Sequence, residues 1–343
     1  MTGTAALILA AGEGTRMKSA LPKVAHRILG IPLVCHVTAA VRAAGIEQVV
    51  VVTGHGADVV ESLLADEEVS FARQDVQHGT GHAVMCATDS LEGLDGSLVV
   101  LAGDCPLFTP ETISALVEER ERTGAAAVVL TARLDDPTGY GRIVRDDAGR
   151  ILGIVEHKDL EASQLGITEV NTGTYCFDAR VLFAHLERLE NTNAQGEYYL
   201  TDMVALLREQ GLVVASVEAS DATETLGINT RVQLAEASTI LQKRINRRHM
   251  LEGVTMTDPA LVWIAPGVEI GRETVIEPMT SLMGVTSAGP GCVLGPNARI
   301  VDSRLGAGCV VEASIVEGVT LGDGTTVGPW ERLTQDGEIQ TAG

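Results

Sequence analysis

The chain has 343 residues and a formal net charge of −21, which together limit its domain organisation and its partners. Single hydrophobic cores stop growing near ~250–300 residues, so this length favours two domains. Hydrophobic residues make up 45 % of the chain, too many for a disordered protein. The chain contains 46 acidic and 25 basic residues. This excess of negative charge disfavours general binding to nucleic acids or to anionic membrane surfaces.

The spacing of the cysteines and the length of the apolar runs indicate in which cellular compartment the protein functions. The cysteines form no CxxC pair and no metal-ligand spacing, so we interpret them as buried hydrophobes of a reducing compartment: Cys35, Cys86, Cys105, Cys176, Cys292 and Cys309. No apolar run approaches the ~18 residues of a membrane span. Residues 5–11 lack a preceding Lys or Arg, which argues against a signal peptide. We therefore expect a cytoplasmic protein.

The front of the chain alternates strand and helix patterns. In chain order the patterns predict strand 5–10, helix 32–44, strand 48–53, helix 58–65, strand 98–102, helix 110–123 and strand 125–130. The strands are apolar on both faces, as in a sheet covered on both sides. This rhythm predicts a doubly wound, Rossmann-like α/β domain with an open parallel sheet. Ligands of such sheets bind beyond the carboxyl ends of the strands.

The loop after the first strand combines glycines with cations. Gly12 and Gly14 allow backbone amides to approach an anion closely, and Arg16, Lys18 and Lys23 follow within the same loop. This combination suggests a polyphosphate cradle. It matches neither a dinucleotide fingerprint nor a Walker A motif. On the two glycines alone, an ordinary turn with solvated charges is the better interpretation.

The complete motif set is far more specific. The string L-x-x-G-x-G-T-R-M followed by P-K, in residues 9–23, resembles the signature of the sugar-1-phosphate nucleotidyltransferases. Further motifs follow in the expected order: QDVQHGTGHA (74–83), AGDCPL (102–107), PTGYGRI (137–143), IVEHKD (154–159), NTG (171–173), NxxGEYYLTD (193–202) and GIN (227–229). From residue 4 to about residue 335 the chain resembles the bacterial N-acetylglucosamine-1-phosphate uridyltransferases.

The resemblance implies uridylyl transfer from UTP to N-acetylglucosamine-1-phosphate with Mg²⁺ as cofactor. The reaction must position two polyanions and offset their repulsion, which cations and a metal ion do. Asp104 lies just past a buried strand and can bind Mg²⁺, and by resemblance Asn229 is the second ligand. Arg16 and Lys23 are the expected catalytic residues, holding the triphosphate and stabilising the transition state.

The remaining site residues rest on the resemblance. The nucleotide-binding set is Leu9, Ala11, Gly12, Gly14, Gln74, Gly79 and Thr80, with Gln74 and Thr80 recognising uracil. The sugar-binding set is Gly141, Glu156, Asn171, Tyr199 and Thr201. Related enzymes often carry an aromatic residue where this chain has Ala102. No histidine receives a catalytic role, because an oxyanion nucleophile needs no general base.

In the C-terminal part of the chain, the apolar residues recur with a different period. Of 37 glycines, 15 lie in residues 253–343. Apolar residues recur at steps of five or six, and they are Ile264, Ile270, Ile276, Leu282, Ala288, Leu294, Ile300, Leu305, Val311, Val316, Leu321 and Val327. This hexapeptide repeat predicts a short left-handed parallel β-helix, preceded by a helix over 232–251. We expect a nucleotidyltransferase domain at 1–230, a linker helix at 231–252 and the β-helix at 253–343. By resemblance we expect a homotrimer formed through the β-helix.

Two alternatives and one exclusion accompany this interpretation. The chain could act on another sugar-1-phosphate, such as glucose-1-phosphate, or be a catalytically silent regulatory subunit. Joint retention of Arg16, Lys23, Asp104 and Asn229 argues against the silent subunit. Residues 327–333 resemble the coil where the acetyltransferase site of the longer uridyltransferases begins. Because the following coils are not in the sequence, we expect no acetyltransferase activity, and Arg332 is expected to be a surface residue.

Overall fold

The computed structural model describes residues 3–193 and 195–335 and the strand Gln340–Thr341. The chain divides into two compact units. The first comprises Met1–His26 and Pro32–Gln233, and the second comprises Arg27–Ile31 and Leu234–Gly343. The division falls within a helix rather than at its ends, and the predicted domain boundaries stay a prediction. The assignment of Arg27–Ile31 to the second unit was not foreseen from the sequence.

The first unit is built on a nine-stranded sheet. Its strands are β1 (Thr4–Leu9), β2 (Gln48–Thr53), β3 (Ser70–Arg73), β4 (Ser97–Ala102), β5 (Ala127–Arg133), β6 (Arg142–Arg145), β7 (Ile151–Val155), β8 (Glu169–Asp178) and β9 (Val214–Glu218). The order across the sheet is β9-β5-β8-β4-β1-β2-β3, and β6 pairs with β8 and β7. A separate two-stranded ladder joins Arg27–Ile28 to Ile31–Pro32.

The sequence predicted an open parallel sheet, and this prediction is wrong in one respect, because the sheet is mixed. Strand β1 is parallel to β2 and β4, and β9 is parallel to β5. Strand β8 lies between β4 and β5 and is antiparallel to both. Its direction follows from the antiparallel ladder of β6, β7 and β8, whereas helical crossovers make the other strands parallel.

Helices cover both faces of this sheet. Across both units, the α-helices of the described residues are α1 (Leu33–Ala43), α2 (Ala57–Leu63), α3 (Thr80–Cys86), α4 (Pro110–Thr123), α5 (Ala179–His185), α6 (Asp202–Glu209) and α7 (Arg231–Leu251). Along β1, Ala5 and Leu7 enter one hydrophobic core, and Ala6 and Ile8 enter the other. Alternate residues of a strand point to opposite faces, so β1 is apolar throughout because both faces are buried.

Helix α4 shows how the sequence marks an element's ends. Its N-cap Thr109 accepts a hydrogen bond from the backbone N–H of Thr112 at 3.4 Å, and Pro110 occupies the first turn. The helix ends at Gly124, whose φ of 62° lies in the left-handed region that glycine favours. The predicted helix 110–123 and the observed one therefore coincide.

The second unit contains three sheets of very short parallel strands that form the faces of a β-helix. The first sheet holds Thr255–Met256, Val275–Ile276, Val293–Leu294, Val310–Val311 and Thr326–Val327. The second holds Val262–Ile264, Thr280–Met283, Arg299–Val301, Ile315–Glu317, Glu331–Thr334 and Gln340–Thr341, the last pair antiparallel. The third holds Glu269–Ile270, Ser287–Ala288, Arg304–Leu305 and Thr320–Leu321.

The hexapeptide prediction is confirmed position by position. Every predicted apolar position is buried except Ile270, which is half-buried against the same core. Successive coils stack in register, with Ile264 opposite Leu282, Leu282 opposite Ile300, and Ile300 opposite Val316. The predicted fold class, a Rossmann-like nucleotidyltransferase domain followed by a short left-handed β-helix, is confirmed.

Among the described residues, no helix has both the length and the apolar character needed to cross a bilayer.

Candidate functional site

Four residues predicted for catalysis and metal binding form one hydrogen-bonded cluster. The Lys23 ammonium contacts the Asp104 carboxylate oxygen Oδ2 and donates to Asn229 Oδ1 at 3.1 Å. The Arg16 guanidinium donates to the same Asn229 oxygen at 2.8 Å. The side chains of Lys23 and Asp104 are only 17 % and 13 % exposed. Two cations thus meet side-chain oxygens of Asp104 and Asn229, with Lys23 and Asp104 largely shielded from water and Arg16 exposed to it.

The parallel strands bring these residues together. Lys23 lies in the loop after β1, and Asp104 lies in the loop after the neighbouring strand β4. The Gly103 N–H donates to Leu9 O at 2.9 Å, which ties the ends of the two strands. The Ile228 N–H donates to Asp104 O at 3.0 Å and brings the GIN segment to the same edge.

Asn229 is held in place by the start of α7. The backbone N–H groups of Asn229 and Thr230 donate to Gln233 Oε1 at 2.8 and 3.1 Å. This reciprocal cap leaves Asn229 Oδ1 directed toward Lys23 and Arg16. Gln233 was not among the residues predicted from the sequence, although its place three residues after Thr230 is a capping-box signal.

Burial raises the pKa values of two groups near Asp104. Burial, with the Asp104 carboxylate next to it, raises the pKa of the Cys105 thiol well above its usual range. Burial also raises the pKa of the Tyr140 hydroxyl, and Cys105 and Asp104 add to this effect. Both groups are therefore uncharged at physiological pH.

Of the two glycines in the loop after β1, only Gly14 is required by the local geometry. Gly14 has φ of 68°, and a Cβ added there would lie 2.6 Å from Lys23 Cβ. Only glycine allows the loop to pass this close to Lys23. Gly12 is exposed and would meet no atom within 4 Å, so nothing in the described residues fixes its identity. Its predicted nucleotide role stays a prediction.

The predicted base-recognition segment packs beside this loop. Gln74 is buried, and its Nε2 lies 3.0 Å from both Gly79 O and His82 Nδ1. Gly79 has φ of 99°, a conformation that glycine favours. The Gln77 Nε2 donates to Ala11 O at 3.3 Å, which connects the segment to the nucleotide loop. The uracil roles of these residues stay predictions.

A second group of predicted residues lines one cavity of about 210 Å³ in the first unit. The predicted members in its wall are Leu9, Thr80, Glu156, Asn171, Tyr199 and Thr201. Gly141 lies next to them, since a Cβ at this position would be 3.5 Å from Glu156 Oε1. Thr80 and Leu9, which were predicted to bind the nucleotide, also line this cavity, and their roles stay predictions.

Sequence reasoning missed part of this cavity wall. The additional members are Gly173, Tyr175, Gln195, Glu197 and Leu200. Gln195, Glu197 and Leu200 lie inside the 193–202 motif, which could have flagged them. Tyr175 lies on β8, a strand that the sequence analysis did not predict. Between Asn171 and Tyr175 the pairing of β8 with β5 shifts register, and Gly173 has φ of 75° within that irregularity.

The Glu156 carboxyl supplies a pH-dependence prediction. Burial, and then the Asp202 and Asp159 carboxylates, raise its pKa above the ordinary value of 4.5, and the nearby Thr201 hydroxyl offsets part of the rise. A raised folded-state pKa means that ionisation costs stability, so Glu156→Gln should raise the melting temperature at neutral pH and not below pH 4. The KM for the sugar phosphate should fall as pH rises through the raised pKa, because an ionised carboxylate accepts hydrogen bonds more strongly.

Steady-state kinetics between pH 4.5 and 7 and thermal unfolding measure both effects. Glu156→Gln should remove the part of the pH dependence of the sugar-phosphate KM that comes from this carboxyl, should keep the part that comes from the second ionisation of the phosphate (pKa ~6), and should leave that of the UTP KM in place. An unchanged sugar-KM profile in the variant would contradict the role of Glu156.

The last described coil bears out the surface interpretation of Arg332. Its side chain is 55 % exposed and lies 3.5 Å from the Glu317 carboxylate. Such exposed ion pairs contribute ~0–1 kcal/mol to stability.

Comparison with known proteins agrees with this architecture. Residues 6–201 match the model of the MobA-like NTP transferase domain. The chain is 48 % identical over 333 residues to the bifunctional protein GlmU of Halalkalibacterium halodurans, covering 97 % of this chain and 73 % of that protein. It is 48 % identical over 328 residues to the Heliobacterium modesticaldum GlmU, covering 96 % and 71 %. The GlmU of Clostridium novyi is 45 % identical over 334 residues, with coverage of 97 % and 73 %.

Both the motif order and these matches extend over nearly the whole chain, through the nucleotidyltransferase domain and into the β-helix. The prediction that the chain is a nucleotidyltransferase is therefore confirmed. The chain belongs to the GlmU family, the N-acetylglucosamine-1-phosphate uridyltransferase family that its motifs indicate.

Proposed function

We propose that this protein transfers a uridylyl group from UTP to N-acetylglucosamine-1-phosphate, giving UDP-N-acetylglucosamine and pyrophosphate. The observation that carries the proposal is the contact of Lys23 with both Asp104 and Asn229 at the strand edge where Leu9 enters the sugar cavity. This arrangement supplies positive charge for a triphosphate next to a small polar cavity for a hexose.

The chemistry needs little covalent participation by the protein. An oxygen of the sugar phosphate attacks the α-phosphorus of UTP, the bond from that phosphorus to the bridging oxygen breaks, and pyrophosphate leaves with the electron pair. Arg16 and Lys23 lie where they can bind the triphosphate and stabilise the charge of the transition state. The nucleophile is already an anion, so none of the nearby histidines is needed as a base.

The residues present fit a Mg²⁺ ion. The oxygens Asp104 Oδ2 and Asn229 Oδ1 already converge on a single cationic group, the Lys23 ammonium. Mg²⁺ typically takes one or two protein oxygens and completes its shell with phosphates and water. When bound, the ion would neutralise and orient the phosphates. Asp104 and Asn229 are the residues that would hold it.

The cavity favours a hexose with hydrogen-bonding substituents. Glu156 accepts hydrogen bonds when it is ionised. Asn171 uses its Oδ1 to accept from the Gly173 N–H at 3.2 Å, which leaves its amide N–H groups to donate. An acceptor and a donor in one wall suit the hydroxyl and acetamido groups of N-acetylglucosamine. The choice over glucose-1-phosphate rests on Glu156, Asn171 and the 193–202 motif.

A substrate assay tests the proposal directly. With Mg²⁺ and UTP, the purified protein should release pyrophosphate when N-acetylglucosamine-1-phosphate is supplied, and much less when glucose-1-phosphate replaces it. Faster turnover with glucose-1-phosphate would contradict the substrate assignment. No turnover with either compound would favour the silent regulatory subunit.

Two further expectations from the sequence stay predictions. Acetyl-CoA consumption with glucosamine-1-phosphate in the same preparation would contradict the expected lack of acetyl transfer. Light scattering should give the mass of a trimer if the β-helix associates as expected, since the coils of a β-helix leave strand edges and apolar ends to cover.

A further inference from the structure

Two consecutive side-chain hydrogen bonds, here called the relay, lie at the edge of the sugar cavity. The Lys158 ammonium donates to Gln195 Oε1 at 3.3 Å, and Gln195 Nε2 donates to the Tyr199 hydroxyl oxygen at 2.5 Å. Gln195 and Tyr199 line the cavity, and Lys158 lies two residues after Glu156, which belongs to the same wall. The relay therefore joins two segments that both contribute to the cavity wall.

Lys158 fixes the direction of the relay. An ammonium group can only donate hydrogen bonds, so the Gln195 amide must turn its oxygen toward Lys158 and its NH₂ group toward Tyr199. The Tyr199 oxygen accepts from this NH₂ group, which leaves its own O–H to donate. Without Lys158, the amide could rotate by about 180° and offer its oxygen to the same hydroxyl.

The Tyr199 hydroxyl is a neutral donor that a ligand can reach. Burial raises its pKa above the ordinary value of 10.0, and the hydrogen bond from Gln195 offsets part of the rise. The hydroxyl therefore keeps its proton at physiological pH. Tyr199 is half-buried rather than enclosed, so a ligand in the cavity has access to its side chain.

The backbone that carries Gln195 is held by the protein itself. Asn193 Oδ1 accepts hydrogen bonds from the backbone N–H groups of Gln195 and Glu197, both at 3.2 Å. Asn193 Nδ2 donates to Glu197 O at 2.5 Å. Because this turn is fixed before any ligand binds, Gln195 can orient the Tyr199 hydroxyl in advance, which lowers the cost of ordering it on binding.

We propose that Gln195, oriented by Lys158, is a positioning residue that directs the Tyr199 O–H into the cavity, where it donates a hydrogen bond to an acceptor oxygen of the bound hexose phosphate. This inference rests on the proposed function, because it concerns the same cavity. It gives two exposed side chains, Lys158 and Gln195, a role in setting the donor pattern of the sugar site.

A double-mutant cycle tests the inference. Gln195→Met keeps the length of the side chain and removes both hydrogen bonds of the amide, and Tyr199→Phe removes the hydroxyl through which Gln195 acts. Gln210→Met is the matched control, because Gln210 is exposed at the end of α6 and does not line the cavity formed by the described residues. Gln195 and Gln210 are both exposed, so these variants should fold, which thermal unfolding checks.

Gln195→Met should raise the KM for N-acetylglucosamine-1-phosphate by about 3- to 10-fold, the value of one neutral hydrogen bond, and leave kcat and the KM for UTP unchanged. In the Tyr199→Phe background it should cause no further change, because two residues that act through one hydrogen bond are not additive. Gln210→Met should change neither KM.

The other end of the relay is tested by two lysine variants. Lys158→Met should raise the sugar KM by a smaller factor than Gln195→Met, and only where Tyr199 is present. Lys158→Arg should restore the KM, because a guanidinium also can only donate. An unchanged KM in Lys158→Met would overturn the role of Lys158.

The inference is overturned if Gln195→Met keeps the sugar KM of the unmodified protein, or if its effect persists in the Tyr199→Phe background. A lowered melting temperature with equal changes in both KM values would indicate a merely structural glutamine and overturn it as well. Failure of the proposed function appears differently, as an unmodified protein that turns over no sugar phosphate. In that case, calorimetric titration of the unmodified protein and Gln195→Met with N-acetylglucosamine-1-phosphate alone decides the inference: equal affinity, or no binding by either protein, overturns it.

Discussion

Asp104→Asn should lower kcat for pyrophosphate release by about 100-fold or more while leaving the fold intact. The substitution keeps the size of the side chain and one oxygen acceptor but removes the negative charge that contacts the Lys23 ammonium and that would hold the proposed Mg²⁺. If Asp104 holds the metal as proposed, the loss of this charge affects the transition state, which concentrates negative charge on the phosphates. We expect the loss mainly in kcat rather than in the KM for the sugar phosphate.

Asp95→Asn is the matched control for this variant. Asp95 pairs with Arg180 at the surface, where both side chains are more than half exposed. Its loss should change stability by less than ~1 kcal/mol and leave turnover unchanged. Circular dichroism and thermal unfolding would establish that both variants fold. If Asp104→Asn keeps kcat within a few-fold of the unmodified protein, Asp104 does not hold the catalytic metal.

Lys23→Gln should lower kcat by about 100- to 1,000-fold, the usual effect of removing a preorganised charge from the site of phosphoryl transfer. The Lys23 side chain contacts both Asp104 and Asn229. Glutamine is neutral and shorter, so it can neither bind a phosphate oxygen as an ion nor reach both partners. Steady-state kinetics with varied UTP would separate the effect on kcat from that on KM.

Two further variants sharpen this test. Lys243→Gln is the control for loss of a lysine, since Lys243 is exposed on α7, and its turnover should be unchanged. Lys23→Arg should rescue poorly, because the Lys23 ammonium is largely buried between the oxygens of Asp104 and Asn229, and a planar guanidinium differs from it in size and in donor geometry. Full activity in Lys23→Arg would mean that only the charge matters, and full activity in Lys23→Gln would remove Lys23 from the mechanism.

The β-helix and the central strands could be predicted from the sequence because their patterns report local geometry. In the β-helix each coil repeats the same inward direction at a fixed spacing, so Leu282, Ile300 and Val316 stack regardless of what surrounds them. Strands β1, β2 and β4 are apolar on both faces because helices cover both sides of the sheet.

Strand β8 could not be predicted in this way. Its residues include Asn171 and Gly173, two residue types that are depleted in strands and that argue against a central strand when taken alone. Asn171 is buried because the strand lies between β4 and β5 and borders the sugar cavity. The residue types of β8 are selected by the cavity that the strand borders as well as by its place in the sheet. The pattern of apolar residues therefore does not predict this strand.

In the candidate site, too, some features could be predicted from the sequence and others only from the tertiary structure. The sequence by itself determined the fold class, the glycine-rich loop and, through the motif set, the family, because these depend on residue types at short and fixed spacings. Tertiary structure alone decided that Arg16 and Lys23 meet Asn229, and that Tyr175 joins Asn171 in one cavity wall. These residues come from separate loops and strands, and their distances depend on how the strand ends and the irregularity of β8 pack together, which no local pattern encodes.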